Sequence, residues 1–100
     1  MPDMVNEQIQ EFESKILVVL QRHDVKRASL FGSIVRGEMR EDSDIDLLVE
    51  FQGRKSLLDL VGLKLDLEDT IKRRFDVVTY KSLSPLLKDR IMAEQVAILG

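Results

Sequence analysis

Cysteine is absent from this 100-residue chain, and histidine occurs once, as His23. Disulfides, thiolate nucleophiles and cysteine-ligated zinc are therefore excluded together, and no His-rich metal site can be built. Oxygen ligands remain, and an all-oxygen donor set suits Mg2+ or Mn2+ better than zinc. Nor is there an excess of positive charge: 15 Lys and Arg stand against 18 Asp and Glu, a formal net charge of -3 with a pI near 5.1. A global positive field that would hold a polynucleotide by its phosphates is missing, so no stable nucleic-acid binding is expected. Long apolar runs are lacking too. ILVVL, Ile16 to Leu20, cannot span a bilayer, and MPDMVNEQIQ opens with neither a basic nor an apolar segment. The expectation is a soluble, cytoplasmic protein.

With 44% hydrophobic and 33% charged residues, the chain suits one packed domain over residues 1–100. Ile9, Phe12, Ile16, Val19 and Leu20 make one apolar stripe, which predicts a packing helix over about residues 6–23. A short strand at 28–31 ends at Gly32, and 33–36 is a helical turn capped by Ser33 and stopped by Gly37. After the polar loop EMREDS, Ile45, Leu47, Val49 and Phe51 alternate with Asp44, Asp46, Leu48 and Glu50, the pattern of a strand. QGRKS is a turn. Leu57, Leu60, Val61, Leu63, Leu67 and Ile71 then mark a second long helix with a basic end at Lys72, Arg73 and Arg74. FDVVTY, 75–80, is a strand, and Ser84-Pro85 opens a last helix to about residue 96, buried through Leu87, Ile91 and Met92. This order predicts an α+β fold, a short mixed β-sheet flanked by helices.

Asp44 and Asp46 project from one face of their strand, roughly 6.6 to 6.8 Å apart along the chain. That spacing lets both carboxylates lean on a pair of cations roughly 3.5 to 4 Å apart. Without cations, two such charges about 6 Å apart repel by roughly 2 to 3 kcal/mol at an effective dielectric near 20. Asp is disfavoured in strands, so the pair is informative, although a solvated face explains a lone D-x-D equally simply. Asp76 opens the strand after the helix crossover and would bring a third carboxylate alongside; its alternative is an ordinary Asp at a strand entrance. Gly32 and Ser33 follow a strand and open a helical turn, where free N–H groups and a hydroxyl can hold phosphate oxygens. A Gly-Ser turn with no ligand is the other reading. Together these residues describe a polyphosphate held by divalent ions, poised for in-line attack at phosphorus.

GSIVRGEMREDSDID carries the spacing G-S, ten residues, D-x-D, and with Asp76 it resembles the minimal nucleotidyltransferases of the DNA polymerase beta superfamily. The resemblance implies transfer of AMP from ATP to an acceptor hydroxyl with release of pyrophosphate. It implies that Asp44 and Asp46 bind two Mg2+ ions, that Asp76 completes one metal site and helps deprotonate the attacking hydroxyl, and that Gly32 and Ser33 hold the triphosphate. Arg36 and Ser43 join them as candidate phosphate contacts. Members of this size resemble the antitoxin half of a two-component system, in which the transferase adenylylates a HEPN-type ribonuclease toxin on tyrosine. The alternatives are an antitoxin that works by masking its partner, or transfer to a small molecule or an RNA end.

Relatives often carry a basic residue directly after Gly-Ser, whereas Ile34 and Val35 stand here before Arg36, which either contacts phosphate or pairs with a loop carboxylate. His23 is expected as a cap at the first helix's end, the KRRF segment as a solvated helix end or else a contact to a partner or the substrate phosphates, and Tyr80 as a packing residue or an adenine platform. Apolar residues spread around the last helix, Leu86 among them, leave surface for a partner.

Overall fold

The computed structural model describes residues 7–38, 40 and 42–100. Helix α1, Glu7–Arg22, leads into strand β1, Val25–Phe31. The one-turn helix α2, Ser33–Arg36, and a loop separate β1 from β2, Ile45–Phe51. Helix α3, Leu57–Ile71, crosses over to β3, Phe75–Thr79. A 3-10 turn at Tyr80–Ser82 precedes α4, Pro85–Glu94, and β4, Val96–Leu99. The strands form one mixed sheet in the order β3-β2-β1-β4, in which β1 is antiparallel to β2 and β4 while β2 is parallel to β3.

Alternation along the strands decides which face is dry. Ile45, Leu47 and Val49 of β2, Ala28 and Leu30 of β1, and Phe75 and Val77 of β3 enter one core. The helices supply Ile16, Val19 and Leu20 from α1, and Leu63, Leu67 and Ile71 from α3. Asp46 and Asp76 therefore point to the opposite face, away from the two long helices. A parallel β2–β3 pair needs a crossover, and α3 provides it. That helix opens with a capping box: the Ser56 side chain accepts from Asp59 N–H, and Asp59 Oδ2 accepts from Ser56 N–H at 2.7 Å. No helix among the described residues is long and apolar enough to cross a membrane.

Several expectations change. The last helix stops at Glu94 and a fourth strand follows, because Gln95 takes an extended backbone and Val96 pairs with Leu30. Of the three residues expected to bury that helix only Ile91 does so; Leu87 and Met92 are exposed. Ser33 caps nothing, since Gly32 holds the N-cap position of α2 without a side-chain bond. β1 begins three residues earlier than expected, at Val25, and Tyr80 belongs to the 3-10 turn rather than to β3. Helix α1 ends at Arg22, and the His23 ring turns to Asp66 of α3, Nε2 to Oδ2 at 2.8 Å, instead of capping. Asn6 and the side chain of Ile9 lie outside the described residues.

Leu57 and Val61, placed by sequence on the core stripe of α3, face solvent. Leu67 is 0% exposed and Leu57 74%. Leu67→Ala should cost about 2–5 kcal/mol of unfolding free energy and Leu57→Ala less than about 0.5, read from urea denaturation. Similar losses for the two would contradict this packing.

Candidate active site

β1 delivers the chain to Gly32 at φ 79°, a conformation that L side chains avoid. Phe31 is in register with Asp46, so the turn lies directly over that carboxylate, and a Cβ on Gly32 would collide with Asp46 Oδ2. Glycine is required here twice, for the backbone angle and for the close approach. Gly37, at φ 71°, ends α2 after one turn.

Asp46 and Asp76 are register partners on adjacent parallel strands, and Asp44 immediately precedes β2. All three sequence-predicted carboxylates thus come to one end of the sheet. Burial, then the neighbouring charges of Asp76 and Asp44, push the Asp46 carboxyl up to about 6. Arg36 acts in the opposite sense, and Glu94 adds to the rise.

The cations around this end are already engaged. Arg74 Nε pairs with Asp44 Oδ1 at 3.2 Å, and Arg74 Nη2 donates to the Asp42 carbonyl at 2.7 Å. Arg73 donates to the Arg40 carbonyl, so Arg73 and Arg74 reach the loop before β2, while Lys72 and Arg74 remain exposed as expected of a solvated helix end. Ser43 Oγ accepts from Arg40 N–H at 2.9 Å and closes the turn of that loop. Arg36 donates from Nε to Glu38 at 2.8 Å and from Nη1 to both oxygens of Glu94 at 3.2 Å. These carboxylates, Glu38 first, raise the Arg36 pKa further. Glu94 Oε1 also accepts from Gly32 N–H at 2.9 Å. The Ser33 hydroxyl makes no hydrogen bond among the described residues.

Two residues of this site escape sequence reasoning. Glu94 arrives because the β1–β4 register, Leu30 with Val96, carries the end of α4 to Gly32. Arg74 arrives because Ile45 N–H donates to its carbonyl at 2.9 Å, setting β3 beside β2. The only signal for either was charge at a segment end. Tyr80 is the converse case: the Arg27 guanidinium lies 4.2 Å from its ring centroid, and its hydroxyl is 3.4 Å from Ser29 Oγ, so it packs. A cleft of about 810 Å³ opens beside it, lined by Lys26, Arg27, Glu50, Arg54 and Lys55, at the far ends of the strands from the aspartates.

The donor set is all carboxylate oxygen, and the crowding that lifts Asp46 is the kind a divalent cation relieves. Among the described residues no three acidic groups converge tightly enough to enclose an ion. Asp44 is engaged by Arg74. The residues fit Mg2+ in chemistry, as an all-oxygen carboxylate set.

The family profile described as polymerase beta, nucleotidyltransferase, matches residues 14–100. The chain belongs to this nucleotidyltransferase family. A Methanocaldococcus jannaschii relative named for protein adenylyltransferase activity is 56% identical over 91 residues, 91% of this chain and 98% of its own. A solved minimal nucleotidyltransferase superposes with a TM-score of 0.78 at 40% identity, covering 90% of this chain and 92% of its own. A chain from the Shewanella oneidensis complex of a tri-AMPylated HEPN toxin with an MNT antitoxin gives a TM-score of 0.72 at 22% identity, covering 91% and 71%, and so shares the fold. As a nucleotidyltransferase the chain is an enzyme, and its mixed sheet with flanking helices is the fold of that family.

The Asp46 shift has a consequence for stability. A carboxyl whose pKa is higher folded, about 6, than unfolded, about 3.9, favours the folded state at low pH and loses that contribution as pH rises through about 6. In metal-free protein, raising the pH from about 5 to about 7 should lower the urea midpoint of the wild type more than that of Asp46→Asn. Parallel pH profiles would contradict the shift.

Proposed function

We propose that this nucleotidyltransferase moves AMP from ATP onto a tyrosine hydroxyl of a HEPN ribonuclease toxin and thereby acts as its antitoxin. The observation that carries the reading is the register pairing of Asp46 with Asp76, beside a glycine turn laid over Asp46. The relative named for protein adenylyltransferase activity supports the acceptor class, and the complex of toxin and antitoxin supports the kind of partner. Apolar side chains left in solvent, Leu58 at 80% and Leu86 at 91% exposure, offer area that a protein partner would cover.

In this reading Asp44, Asp46 and Asp76 hold two Mg2+ ions. Bound there, the ions would neutralise triphosphate charge and make the acceptor hydroxyl easier to deprotonate. Ser33 and the Gly32 turn receive the phosphates, and Arg36 adds a cation at their side. Asp76, exposed on β3, takes the proton of the entering hydroxyl in this reading. The tyrosine oxygen then bonds to the α-phosphorus, the bond from that phosphorus to the bridging oxygen breaks, and pyrophosphate leaves. Arg74 holds Asp44 until a cation competes for it. Ser43 acts through the shape of the loop that presents Asp44.

Incubating the full chain with ATP, Mg2+ and the toxin should add AMP units to the toxin by intact mass. Asp46→Asn or Asp76→Asn should slow the transfer at least about a hundredfold, since loss of a direct ligand exceeds loss of a supporting contact. Full neutralisation of the toxin by an Asp44→Asn, Asp46→Asn double variant would instead identify masking. Label passing from ATP to a small molecule or RNA without the toxin would redirect the acceptor.

A further inference from the structure

One carboxylate occupies two of the four residues that the sequence assigned to phosphate, Gly32 and Arg36. Glu94 takes the Gly32 N–H at 2.9 Å and the Arg36 guanidinium at 3.2 Å through each of its oxygens. A backbone N–H at a glycine turn beside a guanidinium is an anion seat, and in the nucleotide-free protein the seat is filled from within. We propose that Glu94 is an internal stand-in for substrate phosphate, which an incoming nucleoside triphosphate must displace. The inference rests on the reading of this end of the sheet as a triphosphate site, and names how access to it is controlled.

Three features support exchange over permanent bracing. The charge of Glu94 already acts on Asp46, and a triphosphate and this carboxylate cannot occupy one seat without strong repulsion. The mounting is light: Glu94 is the last residue of α4, whose buried side chain is Ile91, and the following strand is a four-residue edge strand with a register shift against β1. Ser33, a further donor at the turn, has a hydroxyl without a hydrogen bond among the described residues. A phosphate can therefore engage Ser33 first and take Gly32 N–H and Arg36 as Glu94 swings to solvent. Side-chain rotation suffices for this, because Glu94 is already 29% exposed.

Glu94→Gln keeps the size of the side chain and an oxygen to accept from Gly32 N–H, while removing the charge that competes with phosphate. Calorimetric titration of the full chain with the ATP analogue AMP-PNP and Mg2+ should give Glu94→Gln a Kd about tenfold below that of the wild type. An equal Kd overturns the proposal. So does a higher Kd, which would make Glu94 a brace for the turn. The wild type supplies a second, independent reading: the Gly32 amide resonance should shift on saturation with AMP-PNP, and an unmoved resonance in nucleotide-bound protein overturns exchange at this N–H. If neither form binds AMP-PNP, the triphosphate reading of the site fails and this inference fails with it. Equal affinities with clear binding overturn the inference alone.

Discussion

Asp46 lies beside Asp76 because β2 and β3 run parallel in a fixed register, and it lies under Gly32 because β1 and β2 pair in another. Both registers are held by the dry face of the sheet. A slip by one residue would carry Ile45, Leu47 and Val49 out of the core, so the hydrophobic face fixes the positions of the carboxylates. Like charges are thus forced together by packing that has nothing to do with charge. Asp46 responds by holding its proton to about 6, and Asp44 by pairing with Arg74.

The other end of the site follows from the same pairing. β4 adds to the free edge of β1 and brings Glu94 to the glycine turn, so the Gly32 N–H and Arg36 already have a carboxylate partner. In the ligand-free protein several of these acids have basic partners: Asp44 with Arg74, Glu94 and Glu38 with Arg36, and the Gly32 N–H with Glu94. Cations and polyphosphate together would replace both sides of these pairings. In the proposed reading, that exchange would let a chain with net charge -3 receive a still more negative substrate.

Most of the sheet was legible in the sequence because β2 alternates except at Leu48 and β3 follows a helix with a clear apolar stripe. The aspartates and the Gly-Ser turn could be placed from their spacing alone. β4 was not legible: no glycine or proline separates Glu94 from Val96, and the apolar residues of VAIL continue the spacing of the helix before them. With that strand missed, Glu94 had no reason to enter the site. Helix faces were read too generously at Leu57, Val61, Leu87 and Met92, where apolar spacing continues past the area that the neighbouring elements cover. Arg74 was legible as charge, but its partner depended on the parallel pairing of β2 with β3, which no local pattern encodes.

All of this depends on Asp46 being crowded by burial and by its two neighbours in the absence of a cation. The most direct measurement is the titration of its side-chain carboxyl by carbon-13 NMR, first in chelator-treated protein and then with Mg2+ added. A midpoint near 6 without metal, falling once Mg2+ is present, is the predicted result. An ordinary carboxylate midpoint in the metal-free protein, or one that Mg2+ leaves unmoved, would contradict the account.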